Sequence, residues 1–201
     1  FCMCPGGYVV NASSEQGLLA VNGMSYQARD GENANSALIV TVTPKDFPEE
    51  GALGGIAFQR DLEKKAWELG KGKVPVQLFG DFCAHQPSSQ LGEIHPNIKG
   101  GYVLTDVRSI LPKELGDSIE EGIFAFGKKL SGFDRKDAVL SGIESRTSSP
   151  VRLVRDQKGL SNITGIYPCG EGAGYAGGIT SAAMDGIKTA EWIASEYMMK
   201  L

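Results

Sequence analysis

Near its carboxyl end the chain reads Ile166-Tyr167-Pro168-Cys169-Gly170-Glu171-Gly172-Ala173-Gly174-Tyr175-Ala176-Gly177-Gly178-Ile179. Gly172, Gly174 and Gly177 have the spacing G-x-G-x-x-G, in which glycines let the backbone approach a pyrophosphate at the start of a helix. That fingerprint also requires a second parallel strand and an acidic residue about 20 positions further on. Because the sequence stops at Leu201, we do not expect a complete dinucleotide-binding βαβ unit.

A different geometry fits the same residues better. A strand over 163–168 would lead into a glycine-rich turn and then into a helix that begins at Ile179, which brings one carboxylate and several amide N–H groups to one ligand. We expect Glu171 to accept hydrogen bonds from ligand hydroxyls and the amides of Gly177, Gly178 and Ile179 to face a pyrophosphate or a flavin carbonyl edge. The predicted binding residues are Gly170, Glu171, Gly172, Gly177, Gly178 and Ile179. The alternative is that the glycines only allow the helix to pack tightly on the strand.

The hydrophobic pattern outside this motif indicates short strands and amphipathic helices. Apolar residues recur every three or four positions over 54–69, 115–130 and 179–199, which predicts three helices. Short apolar runs, many of them β-branched, predict strands at 8–12, 37–43, 74–79, 138–143, 151–154 and 163–168. The strand at 74–79 is expected at a sheet edge, since Pro75 has no N–H to donate. Together these elements predict an α+β fold with a mixed sheet.

Composition excludes several classes of protein. The 201 residues carry a net charge of −4, so no global positive field attracts a nucleic acid. No apolar run approaches the roughly 20 residues that cross a bilayer, which excludes a membrane protein. The sequence begins at Phe1 without an initiator methionine, and we therefore expect a fragment of a longer, cytoplasmic protein.

The cysteines and histidines do not form a recognisable metal motif. One Cys-x-Cys pair lacks the second pair that gives zinc motifs their specificity; these residues are Cys2, Cys4, Cys83, Cys169, His85 and His95. We expect no metal, reduced thiols and solvated histidines. Cys169 has no Cys-x-x-Cys partner for redox exchange with a flavin.

The glycine motif resembles the closing motif of the FAD-dependent (NAD/FAD-utilising) dehydrogenases. The resemblance spans nearly the whole chain and includes the segments at residues 1–7, 22–25, 29–38, 144–152, 166–179, 181–183 and 185–186. It implies a glutathione-reductase-like flavoprotein of two parts. The amino-terminal Rossmann half, which carries the phosphate-binding glycines, would be absent from these residues.

The resemblance also implies a division of the chain. Residues 1–155 would be mostly the inserted substrate domain, a mixed-sheet α+β domain with amphipathic helices. Residues 156–201 would be the carboxy-terminal strand, turn and helix of a Rossmann-like FAD-binding domain. Glu171 stands where many related flavoproteins have an aspartate that contacts the ribitol chain. FAD is the implied cofactor, with NAD(P) as electron donor or acceptor.

Two polar groups are candidates on the substrate side. Arg146 lies in a polar run between two predicted strands, where it could face the flavin or substrate and act in catalysis. A surface arginine in a hairpin loop is the alternative. Arg29, Asn33 and Asn35 form a second polar cluster that could bind a carboxylate or a flavin edge. An ordinary solvated loop is the alternative there.

The leading hypothesis is the substrate domain and flavin-contacting motif of a FAD-dependent oxidoreductase, a dehydrogenase that is inactive as this fragment. Its partners would be a small-molecule substrate and the missing amino-terminal half. An apolar face left by that half could drive self-association. The second hypothesis is a non-enzymatic module that binds a small anion or another protein. A stand-alone nicotinamide-binding domain is disfavoured by the missing second strand.

Overall fold

The computed structural model describes residues 2–198 as a set of short strands and four α-helices. The strands are β1 Met3–Cys4, β2 Gly7–Asn11, β3 Val21–Ser25, β4 Asn35–Ser36, β5 Val74–Leu78, β6 Ile98–Lys99, β7 Tyr102–Leu104 and β8 Val139–Ser141. The helices are α1 Gly54–Gly70, α2 Phe79–Cys83, α3 Lys113–Gly127 and α4 Ile179–Met198. Two predicted positions, Phe1 of the amino-terminal motif and Met199 of the last helix, lie outside the described residues.

The chain forms two compact units. The first unit comprises the described residues up to Asp46 together with Gln59–Ser145. The second comprises Phe47–Phe58 together with the described residues from Arg146 onward. The predicted functional division, a substrate domain over 1–155 and a flavin-binding segment over 156–201, remains a prediction.

The first unit contains three small sheets. Their strand orders are β3-β2-β6, β7-β5-β8 and β1-β4. In the first of them β2 pairs antiparallel with β3 and parallel with β6. In the second β5 pairs parallel with β7 and antiparallel with β8. The predicted α+β class with mixed sheets is confirmed.

The strand β5 is central rather than at an edge, so that part of the prediction is wrong. The physical reason lies in its register, because the β8 ladder pairs Val76 with Ser141 and extends no further toward Pro75. The missing N–H of Pro75 therefore falls at the end of the ladder, while its carbonyl still accepts from the N–H of Gly142 at 3.1 Å. Val74 and Val76 are 1% and 0% exposed, which makes β5 the centre of this core.

Three predicted strands are absent from the described residues: 37–43, 151–154 and 163–168. A strand needs a neighbour to satisfy its backbone groups. The ladder of β4 with β1 is two residues long, the N–H of Ala37 adds one bond to the carbonyl of Cys2 at 3.0 Å, and no strand pairs with residues 38–43 among the described residues. In the second unit the described residues contain no strand, and 163–168 forms turns instead. The predicted strand-turn-helix is therefore wrong in its first part, because no strand directly precedes the glycine-rich turn in the described residues.

The predicted helices all form. The three of them correspond to α1, α3 and α4, with bounds that differ from the prediction by a few residues at most. Within the described residues, no helix is long and apolar enough to span a bilayer. The second unit is built on α4, and the turns of residues 146–178 fold against it in place of a sheet.

Candidate functional site

The glycine-rich turn of residues 170–178 is closed by its own backbone. Gly170 and Gly174 have φ angles of +72° and +81°, which side chains larger than glycine rarely adopt. The N–H of Tyr175 donates to the carbonyl of Gly170 at 3.0 Å, and that of Gly174 donates to the carbonyl of Glu171 at 2.9 Å. A Cβ at Gly174 would lie 2.6 Å from the carbonyl oxygen of Val151. These glycines are therefore required by the turn itself.

Arg155 anchors this turn to helix α4. Its guanidinium donates to both carboxylate oxygens of Asp185, at 2.9 and 2.6 Å, and to the carbonyl of Pro168 at 2.8 Å. The guanidinium carbon also lies 3.6 Å from the centre of the Tyr175 ring and 5.1 Å from that of Trp192. The arginine and aspartate side chains are only 9% and 12% exposed. A bidentate pair shielded from water in this way is stronger and more specific than a surface ion pair.

Asp185 receives a third hydrogen bond, which comes from the turn. The N–H of Gly170 donates to Oδ2 of Asp185 at 2.9 Å. The Arg155 guanidinium, assisted by this N–H, lowers the pKa of Asp185 to about 2. The carboxylate is therefore charged at neutral pH and holds the first glycine of the turn beside the helix.

The predicted ligand groups lie on the open side of the turn. Glu171, Gly177, Gly178 and Ile179 are all exposed. The Gly178 amide is engaged, because it donates to the hydroxyl of Ser181 at 3.2 Å and thereby caps α4. Within the part of the chain that the structure describes, the amides of Gly177 and Ile179 donate to no acceptor. One carboxylate and two amides are thus available to a ligand here.

Helix α4 directs two of its polar residues inward and exposes most of its predicted apolar face, although Ile193 of that face is half-buried. Asp185 and Thr189 point into the second unit, where Thr189 is 5% exposed. The predicted apolar face is instead open to solvent, with Ile179 at 93% and Ile187 at 64% exposure. Ala183, Met184, Ala190 and Tyr197 are exposed as well. Exposed apolar surfaces are common at protein interaction sites.

The substrate-side candidates are not all brought together. Arg146 is exposed and follows β8 in an irregular segment of the chain. Arg29 has a left-handed φ of +52° in a tight turn and lies at a small pocket beside Met3 and Tyr26. Asn33 and Asn35 line a different and larger cavity of the first unit, to which Arg29 does not contribute. The predicted cluster of Arg29, Asn33 and Asn35 is therefore split.

The larger cavity has a volume of about 510 Å³. Its walls come from the first unit alone and include residues of β2, β3, β4, α3 and β8. The side-chain amide of Asn33 donates to the carbonyl of His95 at 2.7 Å, which fixes the loop that closes one side. Glu144, just beyond β8, is half-buried at the wall, and burial raises the pKa of its carboxyl.

Three residues of these sites were not among the predicted site residues: Arg155, Asp185 and Glu144, although the last two lie in segments that carry the resemblance. Asp185 could have been noticed, because Asp185 and Thr189 are four positions apart and therefore share one side of the helix, next to the predicted apolar stripe. Arg155 and Asp185 are 30 positions apart, so no local pattern joins them. No group of three or more possible metal ligands is found among the described residues.

Comparison with known proteins agrees with the resemblance in outline. Residues 1–147 match the model of a family described as FAD-dependent protein, C-terminal domain-like. The chain belongs to this family. The match covers the first unit and ends before the glycine-rich turn, so it does not include the turn.

A relative extends the similarity to the whole chain. An uncharacterized protein of Clostridium beijerinckii is 54% identical over 200 residues, which is 98% of this chain. The matched region is 38% of that protein. The chain therefore spans about two fifths of the length of this relative.

Proposed function

We propose that this chain is the substrate domain and flavin-contacting segment of a FAD-dependent oxidoreductase. Membership of a family of FAD-dependent protein C-terminal domains supports the flavin. The observation that carries the proposal is the exposed carboxylate of Glu171 beside the exposed amino end of α4, on a turn held by Arg155 and Asp185. A carboxylate and helix N-terminal amides are complementary to the hydroxyls and the anionic groups of a flavin nucleotide.

The residues present fit this cofactor. A Cβ at Gly170 or Gly172 would meet no other atom within 4 Å, so the backbone offers an open surface to a flat ligand. Glu171 would accept from ribityl hydroxyls, and the amides of Gly177 and Ile179 would donate to a phosphate or a ring carbonyl. Bound FAD would supply the electron transfer, and the protein would contribute binding, orientation and exclusion of water.

The finer parts of the proposal concern the whole protein. They are a glutathione-reductase-like architecture, dehydrogenase activity, NAD(P) as electron donor or acceptor, Arg146 near the reacting atoms, and a cytoplasmic location. The exposed apolar face of α4 is the surface that the remaining part of a longer protein would cover. The chain alone then lacks half of the flavin site, and we expect it to be inactive.

Flavin binding by the chain alone tests the proposal. We expect no stoichiometric FAD after desalting, but weak binding in a ligand-observed NMR titration. Glu171→Ala should weaken that binding roughly tenfold, because a charge-assisted hydrogen bond is lost. The matched control is Glu68→Ala, an exposed carboxylate on α1. Equal affinities of the two variants would show that the turn does not bind flavin, and tight retention by the chain would show that its site is complete.

One observation favours a second function. The apolar face of α4 would also suit a non-enzymatic module that binds a second protein, or a second copy of this chain. A longer family member that lacks flavin but forms a complex through α4 would support this alternative.

A further inference from the structure

The cavity of the first unit has the size and lining of a small-molecule site. Its volume of about 510 Å³ falls within the roughly 300–1,000 Å³ of typical ligand pockets. Much of the wall is apolar and includes Val9, Val107, Ile119, Ile123, Phe133 and Leu140. Apolar walls of this kind favour a ligand that is itself mainly apolar.

One polar group in the wall lacks a partner. Asn35 lines the cavity, and its Nδ2 is a buried donor without an acceptor in the described structure. A buried donor left unsatisfied is unfavourable by about 1–3 kcal/mol, and such groups are rare in native proteins. An acceptor on a bound molecule would remove that penalty.

Two glycines make room for this amide. A Cβ at Gly23 would lie 2.2 Å from Oδ1 of Asn35, and a Cβ at Gly7 would lie 2.6 Å from Nδ2. No larger residue fits at either position without displacing the amide. The Asn35 side chain therefore packs directly against the backbone of β2 and β3.

The charges around the cavity disfavour an anionic ligand, and the amide donor of Asn35 requires an acceptor. Arg135 is the one cation among the described residues of the wall, and it is engaged by Asp137 at 2.8 Å and by Glu93 at 2.9 Å. The other charged residues of the wall are the carboxyl groups Glu32 and Glu144. An anion would be repelled by them, and a cation would not satisfy the amide donor of Asn35.

We propose that this cavity binds an uncharged, mainly apolar molecule that carries a carbonyl or similar oxygen, and that the Asn35 amide turns toward the cavity so that its Nδ2 donates a hydrogen bond to this oxygen. The apolar walls hold the body of the ligand, and the amide fixes its orientation. This inference is independent of flavin binding, because every residue that carries it belongs to the first unit.

Four naphthalene derivatives of similar size test the ligand class. Their affinities for the full chain are measured by saturation-transfer NMR: 2-acetylnaphthalene, 2-isopropylnaphthalene, 2-naphthoate and 2-(aminomethyl)naphthalene. We expect the ketone to bind roughly five- to tenfold more tightly than the hydrocarbon, and both ions to bind more weakly than the ketone. Equal binding of ketone and hydrocarbon, tighter binding of either ion, or no binding of the ketone would overturn the proposal.

Two variants place the ligand in the cavity. Asn35→Leu should abolish the preference for the ketone over the hydrocarbon, whereas Ile119→Trp should fill the cavity and reduce the affinity for both. The control is Phe124→Trp, which adds the same side chain at an exposed position of the same helix. Circular dichroism establishes that each variant is folded. If Asn35→Leu fails to fold, loss of binding in Ile119→Trp and not in Phe124→Trp still decides the location. Unchanged ketone binding in Ile119→Trp would refute it.

Discussion

Each unit contains a nearly buried arginine, and the two arginines differ in what surrounds their ion pairs. Arg108 of the first unit bonds to Asp117 at 2.5 Å and Glu120 at 2.6 Å, and its guanidinium carbon lies 4.6 Å from the ring centre of Phe82. It stands beside an apolar core that includes Val76, Phe79 and Ile123. Arg155 of the second unit has no such core around it in the part of the chain that the structure describes, where that unit forms no sheet and exposes the apolar face of α4. In the first unit the ion pair lies beside a hydrophobic core, whereas in the second unit the ion pair stabilises the fold where the described residues form no such core.

Among the changes that test this comparison, loss of Arg155 should reduce the stability of its unit most. Arg155→Met leaves Asp185 buried without its counter-ion, and we expect the second unit to lose about 3–5 kcal/mol of stability. Amide hydrogen exchange followed by NMR measures the loss in each unit separately. Arg155→Met with Asp185→Leu, which removes both charges, should recover much of the stability. If exchange in residues 146–178 is unchanged by Arg155→Met, the ion pair does not hold the turn.

Lowering the pH should have the second largest effect on stability, again in the second unit. The pKa of Asp185 in the folded chain is about 2, below the ordinary value near 3.9 for an aspartate in an unfolded chain. Its contribution is therefore complete above about pH 5 and is lost as the pH falls through 2, at roughly 2–3 kcal/mol in total. Hydrogen exchange between pH 5 and pH 2 should show the turn opening. The variant with both charges removed should lack this transition.

Loss of Arg108 should destabilise the first unit less than loss of Arg155 destabilises the second. Asp117 and Glu120 are 43% and 26% exposed, so both carboxylates can be hydrated when the arginine is gone. Lys113 also remains as a partner of Asp117. We expect Arg108→Met to destabilise the first unit by about 1–2 kcal/mol in urea unfolding. A loss as large as that of Arg155→Met would remove the distinction between the two arginines.

A charge on the apolar face of α4 should have the smallest effect on stability. Ile187 is 64% exposed, so Ile187→Lys should change the free energy of unfolding by less than about 0.5 kcal/mol. It should nevertheless reduce any self-association of the chain, which sedimentation equilibrium measures. Lys188→Ile, the adjacent position, is the control that adds an apolar side chain instead. Association that is insensitive to Ile187→Lys would place the contact elsewhere.

The sequence predicted local features well and long-range ones poorly. The helices were predicted from apolar residues that recur about every 3.6 positions, a pattern that involves only residues close together in the sequence. The run at 37–43 has the composition of a strand, but among the described residues no strand pairs with residues 38–43, and composition does not reveal partners. The glycine-rich turn was located correctly, while the pairing of Arg155 with Asp185 depends on a fold that joins positions 30 apart.

The residues that line the cavity of the first unit were also predicted only in part. Asn33 and Asn35 were singled out from their polar neighbourhood, together with Arg29, and only the two asparagines line the cavity. The distinction arises because Arg29 sits in a left-handed turn beside Gly6, whereas Asn35 lies in β4 and faces two glycines of the neighbouring sheet. Such a distinction depends on strand register, which the polar pattern alone does not give.

The position of Trp192 against Arg155 offers a way to watch one unit at a time. The chain has two tryptophans, of which Trp67 belongs to the first unit and Trp192 to the second. Trp192 is flanked by cationic groups, with the guanidinium carbon of Arg155 5.1 Å and Nζ of Lys188 4.9 Å from its ring centre. Release of those charges should change its fluorescence emission. Trp67→Phe would then leave an intrinsic optical reporter for the ion-paired unit, and Trp192→Phe would leave one for the sheet-containing unit.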